Sequence, residues 1–236
     1  MASLAPLSAD SRPPSFRLML AEAGVLADWL RVRRTPLPEM VAGNGRPVMV
    51  IPGFLTSDVR TAALRRALTA AGYDAHGWGL GRNLGVTPHL LDALEDRIRT
   101  AGDGRPVALV GWSLGGLYAR ELAARTPDLV ERVVTMGSPF SGDPRGNNAW
   151  RLYESVAGHP VDAPPIPRHG APKPPVPTIA LWSRRDGIVA PACARGDEAE
   201  SDRRIEVDCL HMGFIVSPAA IRAVLAALDA RIESTH

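Results

Sequence analysis

Residues Gly111-Trp112-Ser113-Leu114-Gly115 join a short apolar run, Val107 to Val110, to a helix-like run, Leu114 to Arg125. No other stretch constrains the fold as tightly. A strand that passes so abruptly into a helix must turn sharply, and the residue at the apex, Ser113, must hold a strained backbone. Gly111 and Gly115 leave room where a Cβ would meet the neighbouring strand or helix. Such a turn pushes the serine hydroxyl out at the carboxyl end of a sheet. It also aims the first amides of the next helix at any negative charge that forms there. The G-x-S-x-G pattern is common by itself; its strand–turn–helix setting makes it read as a nucleophile elbow.

The rest of the chain alternates in the same manner. Strands are predicted at Pro47–Ile51, Tyr73–Trp78, Val107–Gly111, Val130–Met136, Thr178–Ser183 and Arg204–Val207. Helices are predicted at Val59–Ala71, Pro88–Thr100, Leu114–Arg125 and Ala219–Ile232. Short strands alternating with helices of this length argue for an α/β fold, a mostly parallel sheet with helices on both faces. Residues 141–177 break the alternation. Eight prolines fall between Pro160 and Pro177, which forbids a regular helix or a central strand there. A long irregular insertion between two core strands reads as a cap, with one short helix at Asn148–Val156. Ahead of the core, Phe16, Leu20, Ala23, Leu26, Ala27 and Leu30 recur at helical spacing. They predict an amphipathic N-terminal helix over residues 16–34 that packs on the domain, with transient contact to a lipid surface as the rival use. The whole, residues 1–236, reads as a single domain.

A serine hydroxyl is a poor nucleophile without a base, and the base needs an orienting acid. Downstream of an elbow the order is Asp or Glu, then His. His159 and His169 lie in the Pro-rich insertion and His236 at the terminus, so His211, in a short loop before the last helix, is the base candidate. Asp186 is the acid candidate, because Ser183-Arg184-Arg185-Asp186-Gly187 makes a tight turn after a strand. Asp197, Glu198 and Asp202 belong to a charged run that reads as solvated surface. An oxyanion hole needs two amide donors. Leu114, next to the serine, offers one; Phe54, in Ile51-Pro52-Gly53-Phe54-Leu55, offers the other, with Leu55 as its alternative. Apolar side chains placed to line a substrate site are Leu55, Phe140, Trp150, Tyr153 and Met212. Gly79-Leu80-Gly81-Arg82-Asn83-Leu84-Gly85 comes near a dinucleotide fingerprint, but its spacing is off by one and no acidic residue ends a second strand at the right distance. It reads as a loop passing near the site entrance.

A formal net charge of +2 and the absence of any long basic run argue against nucleic-acid binding. Two cysteines make neither a disulfide scaffold nor a zinc site. Cys193 and Cys209 bracket the acid and base candidates, so converging loops should bring them close, and a bridge between them stays open. The first fifteen residues carry Pro6, Pro13 and Pro14 and no apolar stretch, which predicts a cytoplasmic protein without a signal peptide.

Val48-Met49-Val50-Ile51-Pro52-Gly53-Phe54, Gly111 to Gly116, Thr135-Met136-Gly137-Ser138-Pro139-Phe140, Ser183 to Val189 and the His211 loop together resemble bacterial α/β-hydrolases of the lipase/esterase type. The resemblance implies the α/β-hydrolase fold and a triad of Ser113, Asp186 and His211, without metal or cofactor. The expected chemistry is hydrolysis of short- to medium-chain carboxylic esters. An acyltransferase with the same triad, or a lipase acting on longer-chain glycerides, stays open. Lipases of this type usually carry His-Gly where this chain has Pro52-Gly53, which keeps the amide donor and loses the His side chain.

Overall fold

In the computed structural model, residues 12–22, 43–166 and 173–231 are described. The core alternates strand and helix: β1 (Pro47–Ile51), α2 (Asp58–Ala70), β2 (Asp74–Gly77), α3 (Leu90–Gly102), β3 (Val107–Trp112), α4 (Leu114–Arg125) and β4 (Val130–Met136). It continues through α5 (Trp150–Ala157), β5 (Thr178–Trp182), α6 (Pro191–Arg195), β6 (Arg203–Glu206) and α7 (Pro218–Asp229), and the short α1 (Phe16–Ala21) precedes it. The strands form one sheet in the order β2-β1-β3-β4-β5-β6, and every pairing is parallel.

The strand sequences explain the layers. β1, β3 and β5 are buried along their whole length, and successive side chains point to opposite faces. Val48, Val50, Ala108 and Val110 meet Leu64 and Leu68 of α2 and Ile221 and Val224 of α7. Met49, Ile51 and Leu109 meet Leu94 and Ile98 of α3 and Tyr118 and Leu122 of α4. The strand order reverses beside β1, which has β2 on one side and β3 on the other. Crevices at such switch points are where α/β sheets bind ligands.

Ends differ from expectation where side chains compete with the ladder. β2 stops at Gly77 because the Trp78 and Gly79 amides donate to the Asp58 carboxylate, each at 3.0 Å. α6 has no periodic signal in five residues. α7 is capped by Ser217, whose Oγ accepts from Ala220 N at 3.1 Å, and Pro218 suits its first turn. Ile232, the expected end of that helix, lies outside the described residues.

The described part of the N-terminal segment rests on the domain without burying its apolar stripe. Of residues 16–34, those after Glu22 lie outside the described part. α1 buries no residue, and Phe16 and Leu20 of the apolar stripe are 65 % and 58 % exposed. Its segment docks through polar contacts instead: Asn148 Nδ2 donates to Pro14 O at 3.0 Å, and the Glu22 carboxylate accepts from the core. Among the described residues no helix is long and apolar enough to cross a membrane. Cys193 and Cys209 are both buried, free thiols. They belong to separate apolar clusters, Cys193 beside Trp182 and Val189, Cys209 on the α2–α7 face. No bridge joins them.

Candidate active site

Ser113 alone makes the turn from β3 to α4, at φ 53° and ψ −123°. A non-glycine residue there costs about 1–3 kcal/mol and persists only where its surroundings hold it. The surroundings are visible. Ser113 N donates to Met136 O at 2.9 Å. A Cβ on Gly115 would run into Ile51 O, and one on Gly111 into Gly116, so only glycines let α4 sit this close to β1 and β3. Among the described residues Ser113 Oγ has no hydrogen-bond partner. Such contacts commonly tighten only in the substrate complex.

Asp186 is fully buried, and His211 is 3 % exposed. His211 Nδ1 lies 2.8 Å from Asp186 Oδ2, while Asp186 Oδ1 accepts from Ile188 N at 2.9 Å and Val189 N at 2.8 Å. An ionised carboxylate can only accept, so Nδ1 carries the proton and Nε2 is left with its lone pair. The ring packs between Trp112, centroids 5.6 Å apart, and Phe214, 6.5 Å apart edge-on. Trp112 Nε1 also donates to His211 O at 3.2 Å, which ties the base loop to the residue beside Ser113. Burial pushes the His211 pKa down, but the Asp186 charge, its hydrogen bond and the Glu22 charge outweigh it, and the value rises above its ordinary range.

The amides of Phe54 and Leu114 donate to no described residue. Leu55 N is already committed to Asn83 O at 2.7 Å, whereas Phe54 N is not. Asn83 holds that loop from within. It is fully buried; Nδ2 donates to Pro52 O at 2.9 Å, and Oδ1 accepts from Gly85 N at 3.2 Å and Tyr118 Oη at 3.1 Å. The glycine-rich loop 79–85 thus supplies the clamp for the Phe54 turn.

A cavity of about 310 Å³ opens at Ser113. Phe54, Leu114, Phe140, Trp150 and Tyr153 line it, as do Val161, Pro164 and Ile166 of the Pro-rich insertion. The described residues 161–166 thus line the cavity at the carboxyl end of the sheet. Two expected lining residues do not reach the cavity. Met212 packs against the α2–α7 core cluster, and Leu55, at φ 60°, is not part of the lining. Arg120 was not anticipated. It lies 4.1 Å from the Phe140 ring centroid, and burial, opposed by Glu200, pulls its pKa down to about 10. The rival acids serve elsewhere: Asp202 bonds Lys173 and Thr178 N, and Glu198 bonds Arg204. His159 bonds Tyr153 and Pro160 O, while His169 and His236 lie outside the described residues. Asn83 carried a weak signal in its glycine setting. Glu22 carried none, being 165 and 189 residues from the groups it meets.

Residues 47–155 match the family model of the α/β-hydrolase fold. Among solved structures, the metagenome-derived lipolytic enzymes LipS and LipT give a match at TM-score 0.53 and 16 % identity, over 80 % of this chain and 99 % of theirs. Carboxylesterase CesB from Bacillus subtilis matches at TM-score 0.56 and 14 % identity, over 95 % of this chain and all of its own. A bacterial membrane phospholipase A matches at 0.57 and 18 %, over 90 % and 96 %. The sheet order, the serine turn and these likenesses agree: this chain has the α/β-hydrolase fold, in common with solved lipases and esterases.

Proposed function

We propose that the protein is a serine carboxylic-ester hydrolase acting on short- to medium-chain acyl esters. The observation that carries this reading is the 2.8 Å contact between His211 Nδ1 and Asp186 Oδ2, with Trp112, the residue before the strained Ser113 turn, bonded to His211 O. His211 Nε2 takes the Ser113 proton as Oγ adds to the ester carbonyl. The amides of Phe54 and Leu114 hold the oxyanion. His211 then protonates the departing alcohol; water, deprotonated by Nε2, adds to the acyl carbonyl, and the bond to Oγ breaks as His211 returns the proton to Ser113 and the carboxylic acid leaves. Asp186 keeps the ring in one tautomer and stabilises the imidazolium. These steps require only proton transfers within the triad, so the proposal includes no metal or cofactor.

The cavity supports the acyl preference. At about 310 Å³ it sits at the lower end of small-molecule sites, which run to roughly 1,000 Å³. Its walls are mainly apolar and bulky. Fluorophosphonate labelling with peptide mapping tests the nucleophile: wild type should be labelled at Ser113, and an unreactive wild type overturns the reading. A p-nitrophenyl ester series should give higher kcat/KM from butyrate to octanoate than for palmitate; a palmitate preference rejects the acyl assignment.

A further inference from the structure

We propose that Glu22 is a positioning residue for the His211–Asp186 pair, its carboxylate joining the loop of the acid to the loop of the base. The inference rests on the proposed catalytic role of that pair. Glu22 Oε1 accepts from Gly187 N at 2.9 Å and from His211 N at 2.8 Å, and Oε2 accepts from Met212 N at 3.0 Å. Gly187 follows the acid directly, and the other two amides belong to the base and its neighbour. No other described residue accepts from these three amides. Hydrogen bonds to an ionised acceptor are roughly twice as strong as neutral ones, so one side chain fixes the relative placement of two loops that are far apart in sequence.

The setting is built for this contact. α1 buries none of its residues, so core packing does not explain why the segment lies here. Gly187 has no side chain where one would run into Leu18 O, and this lets the segment approach the acid loop. Asn148 Nδ2 closes the arrangement from the cap side, donating to Gly187 O at 2.9 Å and Pro14 O at 3.0 Å. The charged groups acting on the His211 ring are Asp186 and Glu22, with the Cys209 thiol on the same loop held neutral by burial. Glu22 therefore has two effects on the imidazole. It orients the backbone that carries the ring, and its negative charge favours the protonated ring that forms as Ser113 attacks. The second effect also raises the His211 pKa.

The test compares wild type, Glu22→Gln and Glu22→Asp in the full chain. kcat and KM for p-nitrophenyl butyrate are followed from acid to neutral pH, with Tm, and His211 is titrated by NMR in each protein. Glu22→Gln should lower kcat by about ten-fold or more, the scale expected of small misplacements, with KM little changed. Its His211 titration, and the acid limb of kcat/KM, should move to lower pH. Glu22→Asp keeps the charge, so it should restore the titration toward wild type and recover part of kcat. Unchanged kcat and an unmoved titration in Glu22→Gln would overturn the proposal. A kcat loss that only follows the loss of folded protein, with the titration unmoved, would overturn it as well. Should wild type hydrolyse no ester and resist fluorophosphonate, the esterase reading falls, whereas the NMR titration still decides whether Glu22 acts on His211.

Discussion

Ser113 occupies a backbone conformation that its own side chain disfavours, and the interlocked glycines around it hold it there. Strain of this kind is relieved by glycine and not by alanine. Ser113→Ala and Ser113→Gly should both lose ester hydrolysis, and Ser113→Gly should have the higher Tm, by the equivalent of about 1 kcal/mol. Equal Tm values would show that the turn stores no strain. His211 gives a second prediction at this scale. Its pKa lies above the ordinary 6.5, and in the proposed mechanism only the neutral ring takes the serine proton. The kcat/KM profile should therefore rise with pH, with its midpoint above about 6.5. A raised folded-state value means the native protein holds that proton more tightly than the unfolded chain. The contribution of His211 to stability is thus fully present below about pH 6.5 and is lost as pH climbs through the folded value, opposite in sense to activity. Asp186→Asn removes the charge that most opposes burial, so the limb should move to lower pH while turnover falls by about 10⁴.

Elements deliver these residues to one place. The turn after β1 carries Phe54, the turn after β3 carries Ser113, the loop after β5 carries Asp186, and the loop after β6 carries His211. All leave the sheet at carboxyl ends, because every strand is parallel. The turn proposed to hold the oxyanion depends on Asn83 from the loop after β2. Asn83→Ala would strand Pro52 O, Gly85 N and the Tyr118 hydroxyl in a buried site. It should cost about 1–3 kcal/mol per abandoned group, read as a lower urea midpoint, with a fall in kcat as the Phe54 amide loses its support. A variant that is destabilised but keeps full kcat would remove Asn83 from the catalytic argument. The strand order along the chain, the longer helices, the serine turn and the loops of Asp186 and His211 were legible, since apolar periodicity and turn chemistry are local. Asn83 was legible only as part of a glycine-rich loop near the site entrance, not as a clamp, because its partner loop is 31 residues away.

For the molecule as a whole, the sheet buries both faces and leaves the two thiols in separate apolar surroundings. Burial, helped by Asp143 and Glu200, pushes the Cys193 pKa up to about 11; burial and the nearby carboxylates push Cys209 higher still. Neither is a ready thiolate. Thiol counting under denaturing, non-reducing conditions should find two free thiols, and reductant should leave activity unchanged. A single population lacking both thiols would mean the loops of Asp186 and His211 are bridged after all. The sequence by itself determined the alternation of elements, the sharp serine turn, the irregular stretch before β5, and Ser113, Asp186 and His211 as candidates, because each is written in neighbouring residues. The tertiary structure alone decided that Phe54 rather than Leu55 has the uncommitted amide, that Met212 faces the core, and that Glu22 reaches the His211 loop. Those outcomes depend on which hydrogen-bonding groups remain unpaired after the chain has folded, and that is a property of contacts between distant segments.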